Sequence, residues 1–394
     1  MGYHKELLIR QNELGFSSLG DKFVCSKCVS DPHIQDYIDE NVSSIKCNYC
    51  GAVEDDYIAA DVDTIIEFIL KGVRYEWGDP DDEGVSYDSR EGGYQGADIY
   101  DGWNFAQEIL FDEVGINNNN LFEDIRSAIS DTTWCRVDPY GSTLVEEFFY
   151  NWHDFSDQVK YSIRYLFLNY PSRTTEGKTA PHVILDNIAD FVEELGLIKE
   201  VPPMKFYRVR VSSKGEKFTK ARELGTPAKE YAMTSNRMSP AGIPMFYGAQ
   251  DKETALCEVK FESGENVIAS IGEFKNNSNL ILLDLTSLPA LPSIFDEKER
   301  EKRWMVRFLQ QFLIDFTKPI DKDGREHVDY VPTQIVTEYF RYVYETSNKS
   351  PVAGIAYPSS INNEKAYVLF FENQNCKDFE SDTGLTLKKV TYHT

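Results

Sequence analysis

The chain is short of bases and of histidine. Its 394 residues carry 41 Lys and Arg against 65 Asp and Glu, a formal net charge of −24, with six His. Affinity for nucleic acid depends largely on neutralising phosphates with Lys and Arg. A global field of this sign disfavours a nucleic-acid partner and leaves a local basic groove as the one route to it. Six scattered histidines argue against His-centred chemistry. Long apolar runs are also missing: none approaches the ~20 residues of a membrane-spanning helix. The opening MGYHKELLIRQNELGF has no secretory hydrophobic region, and Gly2 is not followed by Ser or Thr at position 6 as myristoylation would need. The expectation is a soluble, cytoplasmic protein with no membrane partner. No Gly-x-Gly-x-x-Gly follows a strand pattern, and neither a Gly-Lys-Ser/Thr phosphate loop nor His-Glu-x-x-His occurs. No fixed-period repeat is present.

What is there suits a packed protein of two or three domains. Hydrophobic residues make up 41% and aromatics 13%, with 24 Phe and 23 Tyr to fill a core, so the chain is not disordered. Four of the seven cysteines form two pairs, CSKC (Cys25, Cys28) and CNYC (Cys47, Cys50), with eighteen residues between them. Each Cys-x2-Cys turn presents two thiolates to one ion, and four thiolates complete a tetrahedron, so the pattern predicts a structural zinc site with no open coordination position. Gly51 eases the second turn. His33, between the pairs, is expected on the surface, although it could replace one cysteine. The odd count and pairing suit a metal in a reducing compartment better than disulfides.

The fold expectation is α+β, with a mostly helical N-terminal half. Helical spacing is read in ADVDTIIEFILKGVRYEW, NFAQEILFDEVG, GSTLVEEFFYNWHDFSDQVKYSIRYLF and HVILDNIADFVEELG, the last stopped by Gly196. GDPDDEGVSYDSREGGYQG and INNNN read as loops. From about residue 200 the pattern changes. KFYRVRV alternates like a strand, and further strands are expected at NVIASIGEF, LILLDLTSL, GIAYPSS and AYVLFFE. Helices are expected at DEKEREKRWMVRFLQQFLIDF and PTQIVTEYFRYVYE. The organisation predicted is a four-cysteine zinc module at 1–60, a helical accessory domain at 61–199 and a mixed α/β domain at 200–394.

Within that last domain, NRMSPAGIPMFYGAQDKETALCEVKFE spaces Arg237, Tyr247 and Glu258 ten and eleven residues apart. MFYGA reads as a short strand ending near Tyr247. DKETALCEV reads as a short helix with Asp251 as N-cap, Ala255, Leu256 and Val259 toward the core, and Glu258 near its end. An arginine offers a bidentate clamp for phosphate. A tyrosine offers a ring to stack on a base, and a carboxylate favours positive charge developing on a sugar. Taken singly, Arg237 reads as a surface charge, Tyr247 as core and Glu258 as a solvated helix residue. Arg208 and Arg210 share one strand face, where either could form a cross-strand salt bridge. Gln334 and Glu338, one helical turn apart, either reach the same pocket or edge a packed helix face. Cys257 reads as a small buried residue.

This stretch resembles the core motif of the RES domain, a toxin family named for its Arg, Glu and Ser. Arg237, Tyr247, Glu258 and the SPAGIP turn stand at the motif positions, although Asn236 and Met238 replace the family's flanking Gly and Trp. FYRVR resembles the family's opening strand and brings in Arg208 as a second nucleotide-contacting arginine. AYPSS resembles the strand carrying the family serine, here Ser359, with Ser360 as the alternative. The N-terminal half resembles the HEPN/RES-type accessory domain of longer members. It lacks the Arg, four to six residues, then His of helical ribonucleases: Arg173 and His182 are too far apart, and Arg325 and His327 too close.

The resemblance implies a fold like that of ADP-ribosyltransferase toxins, with NAD+ as substrate cut at the nicotinamide–ribose bond. Water, phosphate or a protein side chain would be the acceptor. Arg237, Tyr247 and Glu258 would be catalytic, and Arg208 with Ser359 or Ser360 would bind the nucleotide. A toxin or defence effector of this kind implies an antitoxin or regulatory partner, and an acidic surface also suits a basic partner or a homo-oligomer. The competing expectation is a zinc-ribbon binding module beside an inactive RES-like half.

Overall fold

The structure, a computed structural model, describes residues 15–166, 180, 182–319 and 324–394. The opening segment read for targeting signals and Arg173 lie outside them. The chain divides into two compact units, one running to Thr143 and taking in Leu291–Trp304, the other comprising Leu144–Ala290 and Met305–Thr394. Among the described residues no helix is long and apolar enough to cross a membrane.

In the first unit, β1 (Phe23–Cys25), β2 (Val42–Ser44) and β3 (Ala59–Asp61) form an antiparallel sheet in the order β1-β3-β2, with α1 (Pro32–Glu40) between β1 and β2. Asp31 caps α1 by accepting from the amides of His33 and Ile34, and Pro32 takes the first helical position, where no N–H is needed. α2 (Val62–Val73) is capped by Asp61 and buries Ile65, Ile66, Ile69 and Leu70. Short strands β4 (Trp77–Gly78), β7 (Tyr100–Asp101) and β8 (Thr133–Arg136) form a second sheet. Between β4 and β7, β5 (Tyr87–Asp88) and β6 (Gly93–Tyr94) make a hairpin. α3 covers residues 102–114 around a π-helical stretch, Ala106–Leu110, and α4 spans Asn119–Ala128.

Ile294 and Phe295, from the returning segment, complete this core. A Cβ at Gly72 would fall 2.3 Å from the Phe295 ring, so only glycine fits there.

The expectation of a mostly helical N-terminal half is therefore corrected. The acidic, Gly-rich stretch holds a hairpin, TWCR is a strand, and the Asn run opens α4, with the Asn118 side chain accepting from the amides of Asn120 and Leu121. Strands of two to four residues are too short for a period-two pattern to register.

The second unit opens with α5 (Leu144–Tyr161) and α6 (Val183–Glu194), followed by Gly196 at φ +62°. Its sheet is built from β9 (Ile198–Val201), β10 (Lys205–Ser212), β11 (Phe246–Ala249), β12 (Ile268–Asn276), β13 (Leu280–Asp284), β14 (Gly354–Pro358), β15 (Lys365–Leu369), β16 (Cys376–Lys377) and β17 (Leu385–His393). The order is β16-β17-β12-β10-β11-β15-β14-β13-β9, nine strands, parallel at β13–β14 and β16–β17 and antiparallel elsewhere. The large mixed sheet with helices has the mixed α/β character expected of the second half, in a unit that begins at Leu144 rather than near residue 200. A parallel pair needs a long crossover, and the chain between β13 and β14 carries α8 (Arg303–Thr317) and α9 (Val331–Tyr342). α7 (Lys252–Glu258) follows β11.

Phe206, Phe246, Phe274, Leu282, Tyr367 and Leu369 pack in one buried cluster, and Val209, Ala249, Ala255, Ala269 and Ile271 in another. Among the helices, Phe148, Phe191 and Phe308 meet at centroid distances of 5.0–5.8 Å. The Trp152 ring lies edge-on to Phe312, and its indole N–H donates to Asp315 at 3.2 Å.

Candidate functional site

Two places gather chemistry-bearing side chains. The first is local. β1 ends on Cys25, the turn after it brings Cys28, and the CNYC turn closes on Gly51 at φ +75°. The four sulfurs all lie within 4.8 Å of one another, at 3.5 Å for Cys25–Cys50, 3.7 Å for Cys28–Cys47 and 3.8 Å for Cys25–Cys28. Four sulfurs about 2.3 Å from a tetrahedral ion sit roughly 3.8 Å apart, so the cluster can hold a metal. Burial, with the neighbouring thiols, pushes the Cys25 thiol up to about 11. At Cys47 burial acts the same way, but backbone N–H groups of Cys50, Tyr49 and Cys25 outweigh it and bring the thiol down to about 7. A cation would favour all four thiolates. His33 stands apart from the cluster, with Nε2 3.4 Å from Asp296.

The second place is a cavity of about 410 Å³ in the sheet unit. Tyr207, Ala249, Ala366 and Tyr357 are paired in one row across four strands and so share a sheet face. The two alanines leave room for α7 to pack over β10, β11 and β15, with Ala255 in the same cluster as Ala249. Asp251 caps α7, accepting from the Thr254 amide and hydroxyl at 2.8 Å each. The helix ends on Glu258, which lines the cavity and is exposed. The buried Ser359 hydroxyl donates a short hydrogen bond to Glu258 Oε1, and the Ile361 amide donates to Ser359 Oγ at 3.3 Å. Ser359 therefore reaches the cavity through Glu258. Ser360 is exposed and is not part of the lining.

Tyr247 lies two residues before Ala249 on the same face. Its hydroxyl meets Ser239 Oγ at 3.0 Å and accepts from the Met238 amide at 3.3 Å. Burial pushes this phenol up to about 12, so it stays neutral. The loop carrying Arg237 is held from α9: the Thr333 hydroxyl donates to the Arg237 carbonyl, and Gln334 Nε2 donates to the Asn236 carbonyl at 2.8 Å. Arg237 Nη1 donates to the Phe316 carbonyl at 3.2 Å.

β10 and β11 pair at Tyr207–Ala249 alone, and Arg208 Nη1 reaches across to the Tyr247 carbonyl at 2.7 Å. Burial draws its pKa down to about 10, which leaves it cationic at neutral pH. Among the described residues neither Arg208 nor Arg237 pairs with a carboxylate. Two guanidiniums without counter-charges, in a chain this acidic, make the cavity a place for an anion.

The structure thus brings Arg208, Arg237, Tyr247 and Glu258 together. Residues 205–386 match the family model of the RES domain, and residues 40–173 match that of HEPN/RES N-terminal domain 1. The chain carries a RES domain behind a HEPN/RES N-terminal domain. The RES match opens on the first residue of β10 and ends inside β17, so it takes in every residue of the cavity described above. No curated protein and no solved structure matches the chain. A RES domain implies an NAD-related toxin or effector.

Arg210 donates to the Glu223 carbonyl and lies outside the lining of the RES cavity. Gln334 supports the site from α9 by holding the Arg237 loop, while Glu338 is half-buried outside the lining, its carboxyl pushed up by burial. Cys257 is half-buried rather than buried. Tyr357, Ser239 and Thr333 escape the sequence reading. Tyr357 precedes the Pro-Ser of the family motif and Thr333 precedes Gln334, which are the available signals.

Proposed function

We propose that the RES domain cleaves the nicotinamide–ribose bond of NAD+, with water or phosphate as acceptor. The reading rests above all on the convergence of two guanidiniums lacking carboxylate partners with a Ser-held carboxylate in one cavity. Arg237 and Arg208 hold the diphosphate, to which a planar fork of donors is matched. Tyr247, neutral and fixed by Ser239, orients the nicotinamide ring. Nicotinamide departs as a neutral ring with the bonding pair, so no strong acid is required. The ribose passes through an oxocarbenium-like state, which the Glu258 carboxylate stabilises. Ser359 fixes the carboxylate in one rotamer. We read the four-cysteine cluster as a closed zinc site with a folding role, and the unit around it as a recognition or regulatory module.

The test is nicotinamide release from NAD+ by the purified protein, with and without phosphate, followed by chromatography. Wild type should release it, and Glu258→Gln should be about 10²–10³-fold slower, the cost of removing one preorganised electrostatic group. A rate that rises with phosphate names phosphate as acceptor. Glu258 is exposed at the cavity, which favours a second reading in which a protein side chain accepts the ADP-ribose. Label transfer from NAD+ to protein without free ADP-ribose would select it. Neither release nor transfer would overturn both and leave the RES half as a binding module.

A further inference from the structure

Tyr357 sits near the end of β14, two residues before Ser359, and closes the row Tyr207–Ala249–Ala366–Tyr357. It is 8% exposed and lines the cavity. A buried tyrosine hydroxyl ordinarily finds a hydrogen-bond partner. Among the described residues this one has none. Nor is it one of the sealed, unmet polar atoms of the described residues, which are Arg126 Nε, His182 Nδ1 and Arg341 Nη1. The hydroxyl therefore opens to the cavity. Its electrostatic neighbours are Glu258, Tyr247 and Arg237. Burial, and after it the Glu258 charge, pushes the phenol upward, so it remains a proton donor across the working range.

In the unliganded fold no hydrogen bond joins the Tyr357 hydroxyl to Glu258, whose Oε1 accepts from Ser359 and whose Oε2 remains to accept from a ligand. A sugar hydroxyl that donates to Glu258 keeps both oxygen lone pairs, as does its vicinal neighbour, and each can accept from a donor on the wall. We propose that Tyr357 is a further substrate-contacting residue, its hydroxyl donating a hydrogen bond to a hydroxyl oxygen of the nicotinamide-side ribose that Glu258 engages. This rests on the NAD+ reading above and extends it. Glu258 accepts and Tyr357 donates, so a vicinal diol is recognised by complementary partners, and a ligand without that sugar gains nothing from Tyr357. An unmet hydroxyl kept in a nearly closed position is a group whose partner arrives with the substrate.

The experiment is Tyr357→Phe in the full chain, which keeps the ring and removes one oxygen. Binding of carba-NAD+, an uncleavable analogue that retains the ribose hydroxyls, and of ADP, which lacks that sugar, is measured by calorimetry. Turnover of NAD+ and thermal unfolding are followed alongside. The expected result is an affinity for carba-NAD+ about tenfold weaker, the scale of one lost hydrogen bond. ADP affinity should hold within about twofold and the unfolding midpoint should be equal or higher, because the hydroxyl has no partner in the unliganded fold. Unchanged carba-NAD+ affinity and unchanged turnover would overturn the proposal while leaving the NAD+ reading intact. So would a lowered midpoint with both ligands weakened alike, since the hydroxyl would then be structural. If wild type neither binds nor cleaves the dinucleotide, the NAD+ reading fails and this inference fails with it.

Discussion

Arg303 in the first unit and the Arg208–Arg237 pair in the second are treated in opposite ways. Arg303 is 3% exposed, with Nε 3.0 Å from Glu76, Nη2 2.7 Å from Glu113 and Nη1 donating to the Pro292 carbonyl. Its charge is met by two carboxylates, as a charge removed from water must be. Arg208 and Arg237 donate to the carbonyls of Tyr247 and Phe316 and meet no carboxylate among the described residues. The chain has 65 acidic residues, so partners are not scarce. The difference teaches that one arginine is matched for folding, while two keep part of their charge and hydrogen-bonding capacity open for a ligand.

The comparison can be broken most directly at Arg303. Arg303→Met should destabilise the protein by about 3–5 kcal/mol in urea unfolding, because it breaks a buried pairing of one guanidinium with two carboxylates. Arg237→Gln should act the other way round. It should weaken NAD+ binding by roughly 1.5–3 kcal/mol, the value of a hydrogen bond to a charged group, while moving stability by less than about 1 kcal/mol. If Arg237→Gln destabilised as much as Arg303→Met, the distinction between matched and open arginines would be lost. Gln334→Leu sharpens it with the smallest effect. Freeing the Asn236 carbonyl should loosen the loop and cost about 1 kcal/mol of NAD+ affinity. Faster hydrogen exchange at the amides of residues 236–239 should accompany it, with the β10 amides unchanged.

The two sites were legible in the sequence to different degrees, for a physical reason. The four-cysteine cluster is held within 26 residues, and each Cys-x2-Cys turn sets the separation of its own sulfurs, so spacing alone nearly specifies the geometry. Arg237, Tyr247 and Glu258 line one cavity, and a capped seven-residue helix directly after a short strand fixes where Glu258 stands relative to β11. Ser359 against Ser360 could not be separated in the sequence. Adjacent residues take different sides of the turn after β14, and only the hydrogen bond to Glu258 chose between them. Thr333 and Gln334 act on a loop almost a hundred residues earlier, a contact with no local trace.

The sequence by itself determined the four-cysteine cluster, the change from the first half to a strand-rich second half, the capped helix bearing Glu258 and the acidic character that makes unmatched arginines conspicuous. These follow from short-range rules: turn geometry, alternation, capping and charge counting. Only the tertiary structure decided that the first half is a mixed unit built on short strands, and that residues 291–304 return to complete its core. It alone decided that Tyr207, Ala249, Ala366 and Tyr357 stand in one row, and that Tyr357 presents an unmet hydroxyl beside Glu258. Strand order and register are set by packing among residues far apart in the chain, so neighbours across a sheet leave no periodicity along it.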